Sequence, residues 1–164
     1  MNPGQGGWVI LLTVLLAMLA AIVHLPEGWP AWLGWWRPIW VPLVLFFWVV
    51  EVPHRVGLIA AWITGLCLDV LVADPLGLNG ALLACLTFFT WRFYERLRMF
   101  AVLQQSLLLL LLLGAYELLR AWILAGVRGD AWHWALLLGP LLSAILWPFL
   151  YMFLQRLRTG FRVT

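Results

Sequence analysis

The chain has 164 residues, is 65% hydrophobic and only 10% charged, and has a mean hydropathy of +1.00. A water-soluble domain of this length cannot hide that much apolar surface, whereas a bilayer takes it as solvent; the composition excludes a soluble fold and predicts one integral membrane domain over residues 1–164. All ten basic residues are arginines at the ends of apolar spans, so the net charge of +3 reads as topology marking and points to no nucleic acid.

The apolar pattern predicts an all-α polytopic protein with about six transmembrane helices. A first span covers Trp8 to Val23; the missing positive flank and its length argue for a retained helix over a cleaved signal. Pro26 to Trp36 reads as a loop whose tryptophans (Trp29, Trp32, Trp35, Trp36) form an interfacial belt. The second span opens at Arg37-Pro38 and ends near Val50, before the tight turn Pro53-His54-Arg55. The third covers about Val56 to Val72, Asp74-Pro75-Leu76-Gly77 is a turn, and the fourth runs from Leu78 to Trp91. Arg92 to Arg98 reads as a short polar connection. The fifth span, Ala101 to Leu124, contains seven successive leucines, Leu107 to Leu113, and such a run hides which side faces lipid. A turn over Val127 to Asp130 leads to the sixth span, Trp132 to Met152, and to an arginine-bearing tail, Gln155 to Thr164.

Six spans put both termini on one side. Arg55, Arg92, Arg96, Arg98, Arg156, Arg158 and Arg162 then share that side, against Arg37, Arg120 and Arg128 opposite, so seven arginines against three favour cytoplasmic termini. His54 and Arg55, with Arg92, Arg96 and Arg98, would form a basic inner face that meets membrane lipid and any cytoplasmic partner.

In the third span Gly57, Ala61, Gly65 and Asp69 recur at intervals of four and make one small-residue stripe, the spacing that lets another helix approach closely in lipid. The stripe turns Asp69 toward protein. At ~1.5 Å per residue Asp69 lies about 20 Å along the helix, in the outer third of the bilayer. An ionised carboxylate there must be paired or reach water. It is either a helix-end acid that reaches the outer surface or a paired acid that locks the fold or lines a cavity, and the second is preferred. Arg37, Arg120 or a polar group on another helix are the candidate partners, and Glu117 and Arg120 can also pair with each other, three residues apart.

Other chemistry finds no footing. His24 and His133 are isolated, so no metal site is predicted, and Cys67 and Cys85 read as buried small hydrophobes. Ser106, Ser143, Thr64 and Thr90 lack a neighbouring base, and no glycine-rich phosphate loop or cofactor motif occurs. The expectation is a protein that is not an enzyme.

Arg37-Pro38-x-Trp40, Trp48, Pro53-His54-Arg55-Val56, Gly65-x-x-x-Asp69 and Leu76-Gly77, followed by Gln104-Gln105, Leu146-Trp147-Pro148 and the arginine-rich tail, resemble the rod shape-determining protein MreD family. The resemblance implies an inner-membrane component of the bacterial cell-elongation machinery that supports peptidoglycan synthesis. Its implied partners are MreC and, nearby, the actin-like MreB, the glycosyltransferase RodA and its penicillin-binding transpeptidase. It also implies a fold similar to the substrate-binding subunits of energy-coupling-factor transporters, and with it a competing function as a small-molecule or lipid carrier. Glu51 and the Glu117–Arg120 pair have no place in the family pattern.

Overall fold

The computed structural model describes residues 6–23, 37–129 and 134–161. The described residues form α1 (Gly7–Ile22), α2 (Trp40–Glu51), α3 (Leu58–Val72), α4 (Leu78–Met99), α5 (Val102–Arg128), a 3-10 turn (Trp134–Leu137) and α6 (Leu138–Gly160). The predicted tryptophan belt, His24, His133 and Arg162 lie outside the described residues.

α2 is the axis of the bundle. Its sequence is apolar all round, without a polar stripe, and every residue from Val41 to Glu51 is buried. Pro42 sits in its first turn, where the backbone N–H has no helical acceptor to lose. The N–H of Ile39, just before the helix, donates instead to Ser143 Oγ at 2.8 Å. Trp48 Nε1 donates to Thr13 Oγ1 of α1 at 2.9 Å, and Phe46 and Phe47 pack against Trp147 of α6. The aromatic layer therefore ties α2 to both ends of the chain.

Around this axis the exterior is greasy. Leu11, Ile59, Val70, Leu103, Leu111, Trp122 and Phe149 are all more than half exposed, an apolar surface that only lipid solvates well. Two segments, Val102–Arg128 and Trp134–Gly160, are by length and composition able to cross a membrane, at 27 residues each. The leucine run resolves by position: Leu109 and Leu113, four residues apart, are fully buried, while Leu107 and Leu111 face out.

The helix directions alternate. Trp8 at the start of α1 meets Phe161 after α6 edge to face, with ring centroids 5.0 Å apart, so the two described ends of the chain share one face of the bundle. At the opposite face Arg37 donates to the carbonyl of Val23, joining the end of α1 to the approach to α2.

Four expected boundaries change. Arg92–Arg98 is no connection: α4 continues to Met99, because arginine side chains at a helix end can reach the headgroup layer while the backbone keeps its helical bonds. By the same logic α6 runs to Gly160, into the expected tail, and α5 runs to Arg128, into the expected turn. α2 starts at Trp40, and Arg37 and Pro38 precede it. Cys67 and Cys85, expected inside, lie on the exposed surface.

α3 and α4 make the closest helix pair. Gly65 is where they touch: a Cβ there would stand 2.5 Å from the Gly80 amide nitrogen and 2.6 Å from the Asn79 carbonyl carbon, so backbone meets backbone. Ala61 is fully buried on the same stripe, whereas Gly57, the N-cap of α3, has open space around it. Gly65→Ala is expected to lower the unfolding midpoint in detergent by the equivalent of ~2–3 kcal/mol, since rigid backbone cannot yield to the added methyl. Gly126→Ala, with nothing within 4 Å of its Cβ, serves as control and is expected to be neutral or slightly stabilising. Equal midpoints for the two variants would contradict the close approach.

Candidate functional site

The polar groups gather at the two ends of the bundle. At one end α3 stops, Ala73 takes the left-handed conformation (φ 57°), and the chain turns through Asp74–Gly77 into α4. Gly77, the N-cap of α4, also has positive φ (94°) and carries no side chain to cap the helix. Asp69 does it from the neighbouring helix. Its Oδ2 accepts from the Gly77 amide at 2.8 Å, and its Oδ1 accepts from the Asn79 amide at 2.9 Å and from Asn79 Nδ2 at 2.9 Å. The two backbone amides are N-terminal donors that a helix leaves unsatisfied, and they carry the positive end of its dipole. A fully buried carboxyl in the last turn of α3, poorly placed in its own helix dipole, is thus held by the start of the next helix.

Asn79 is the centre of the network. It is 2% exposed, its amide also donates to Asp74 Oδ2 at 3.1 Å, and its Oδ1 accepts from the Tyr116 hydroxyl at 2.5 Å. Asp74 in turn accepts from Arg120 through Nε at 3.1 Å and Nη2 at 2.6 Å, a two-point grip across from α5. Arg128 approaches Asp74 Oδ1 at 3.5 Å and donates to the carbonyl of Ala73. Glu117 completes the set, 3.5 Å from Arg120. The α3–α4 turn is thereby fastened to the C-terminal half of α5.

The expected cluster differs in two ways. Neither Arg37 nor Arg120 reaches Asp69: Arg37 binds the Val23 carbonyl, and Arg120 is taken by Asp74 and Glu117. The acid in the turn, rather than the one in the helix, recruits the arginines. Of the remaining motif residues, Pro53 is buried, His54 is exposed, and Arg55 is half-buried beside Gly7. Pro38 and Trp40 are half-buried, and Leu76 is 75% exposed. Sequence reasoning passed over Asn79 and Tyr116; a lone amide in an otherwise apolar span is the signal that marks such a hub.

The other end carries a second cluster. Glu51, at the end of α2, is buried, pairs with Arg158 of α6, accepts from the Tyr151 hydroxyl at 3.4 Å, and lies 3.9 Å from Arg98 of α4. Beside it Gln105 is 2% exposed: its Nε2 donates to the Leu97 carbonyl at 2.9 Å, and its Oε1 accepts from Trp147 Nε1 at 3.3 Å. The ends of α2, α4 and α6 and the start of α5 are joined there. Among the described residues no group of histidines, cysteines and carboxylates could hold a metal ion.

An apolar exterior over a bundle whose buried charged groups are tied into two clusters at its ends defines a helical membrane protein. The family profile described as rod shape-determining protein MreD matches residues 4–157, and the chain belongs to that family. It is 27% identical to the rod shape-determining protein MreD of Haemophilus influenzae over 146 residues, covering 89% of this chain and 90% of the relative. No solved structure matches the chain.

The network separates the roles of its two aspartates. Asp74→Ala removes both hydrogen bonds from Arg120, leaves that guanidinium only Glu117 at 3.5 Å, and is expected to destabilise the fold by ~2 kcal/mol. Asp69→Ala strands three N–H donors and no arginine, on the order of 3 kcal/mol, and Asp69→Asn, which still accepts from the α4 amides, recovers part of it. A double-mutant cycle of Asp74→Ala and Arg120→Met, followed by thermal unfolding in detergent, decides the first: the combined loss is expected to fall short of the sum of the single losses, and additive losses would mean that Arg120 is not held by Asp74.

Proposed function

We propose that this protein is a scaffold of the cell-elongation complex in the bacterial inner membrane, with six spans and both termini cytoplasmic, that binds MreC and supports peptidoglycan synthesis in rod-shaped growth. RodA, its penicillin-binding transpeptidase and MreB are the further partners of this assembly. Membership of the MreD family carries the reading. The architecture supports it: the polar side chains converge on one another at the bundle ends, which suits a rigid platform for partner helices. The competing carrier function, similar in plan to the energy-coupling-factor subunits, calls for polar groups that converge on a ligand space. Two grooves between helices are apolar, and a more polar hollow lies along the end of α4 beside Arg92, Glu95 and Arg96.

Orientation rests on the arginines. The face that carries both described chain ends also carries Arg55, Arg92, Arg96, Arg98, Arg156 and Arg158, while Arg37, Arg120 and Arg128 lie at the opposite face. A reporter active only in the periplasm, fused after Thr164, is expected to stay silent; activity would overturn the orientation. Affinity-tagged full-length protein, co-expressed with MreC from the same bacterium, is expected to retain MreC through detergent extraction. Loss of MreC under conditions that keep the tagged protein folded would sink the scaffold reading.

A further inference from the structure

α4 and α5, joined by the tight turn at Phe100–Ala101, pack less closely than α3 with α4 or α5 with α6. Between them an apolar groove of about 320 Å³ runs along Phe89, Phe93 and Phe100 of the α4 side and Leu108 and Leu112 of α5, with Arg96 in its wall. Phe89 precedes Arg96 by seven residues, about 10 Å along the helix at ~1.5 Å per residue, so the groove reaches inward from a cation near the helix end. Arg96 is exposed and has no carboxylate partner among the described residues; Arg92, one turn earlier on the same side, is likewise unpaired and stands 5.8 Å over the Phe93 ring. Of the other four described arginines at this end, Arg98 and Arg158 are engaged with Glu51. Glu95, next in sequence, is not part of the groove wall and accepts from the Tyr94 hydroxyl at 3.2 Å.

We propose that this groove binds one anionic phospholipid, with an acyl chain along Phe89, Phe93, Leu108 and Leu112 and the phosphate on Arg96, assisted by Arg92. A guanidinium grips a phosphate through two parallel N–H donors, and basic pockets between transmembrane helices are where anionic headgroups lodge. A partner helix fits worse. An apolar one would leave both guanidiniums without an anion.

Native mass spectrometry of the full-length protein, released from vesicles of equal phosphatidylglycerol and phosphatidylethanolamine, tests it. Phosphatidylglycerol is expected to be retained preferentially as a one-lipid adduct. Arg96→Gln is expected to cut that adduct about fivefold, the equivalent of the ~1 kcal/mol that one arginine contributes at an anionic surface, and to leave phosphatidylethanolamine unchanged. Arg156→Gln, an exposed arginine of α6 away from the groove, is expected to change neither. Leu112→Trp, which fills the groove, is expected to reduce both lipids. Equal retention of the two lipids in the wild type, equal losses from Arg96→Gln and Arg156→Gln, or an adduct untouched by Leu112→Trp would each overturn the site.

Discussion

Much of the structure depends on one contact, the backbone-to-backbone approach of α3 and α4 at Gly65 and Gly80. Helices this close leave no space for water between them, and in hydrocarbon an unsatisfied N–H costs several kcal/mol. The start of α4 therefore needs an acceptor supplied by protein, and with glycine at its N-cap the acceptor must come from elsewhere. Asp69 stands on the same small-residue face one turn beyond Gly65, which puts its carboxyl at the first amides of α4. Close packing and capping are one device: the glycine sets the distance and the aspartate makes that distance tolerable. Asn79 and Tyr116 pass the connection to α5, and Asp74 draws Arg120 and Arg128 over the turn.

The opposite end solves a related problem with charge. α2 is buried along its length, so an acid at its last residue faces protein rather than water. Glu51 sits at the negative end of the α2 dipole, where cations are favoured, and Arg158 and Arg98 from α6 and α4 supply them. These two residues, Glu51 and Arg158, lie more than a hundred positions apart, yet each is the natural neutraliser of the other once α2 is central. The middle of the bundle needs no such measures beyond single bonds such as that from Trp48 to Thr13.

The class and the order of the helices were legible because apolar runs and turn residues are local signals. The Asp74–Gly77 turn set the start of α4 at Leu78, and the spacing of Ala61, Gly65 and Asp69 marked the face that is buried. The C-terminal limits of α4, α5 and α6 were not legible: arginines at these ends look like loop composition, whereas long side chains let the backbone stay helical to the interface. The partner of Asp69 was legible only as a polar group on another helix, which the Asn79 side chain is, and not as an arginine. Opposite charge is the sequence-level cue for a buried acid, and here the other two donors are backbone amides, which every residue possesses and no alphabet records. The central place of α2 was hidden for a similar reason, since an all-apolar segment reads alike whether it faces lipid or protein.

What remains on the outside sets the terms on which anything can bind. Lipid tails are as apolar as leucine, so the exposed faces of α1, α3, α5 and α6 gain nothing simply by meeting another apolar helix. Selective association must come from shape, from small residues that permit close approach, or from charge near the interfaces. The exterior offers shape in its grooves, such as that of about 200 Å³ where Ala17 and Ala20 of α1 face Phe153 of α6 beside Trp40. It offers charge in the arginines that the internal clusters leave unpaired. A bundle whose helix ends are bonded to one another through two polar clusters holds both features in fixed positions, so little conformational entropy is lost when a helix or a lipid settles against it. Rigidity of the interior is then what gives the surface its selectivity.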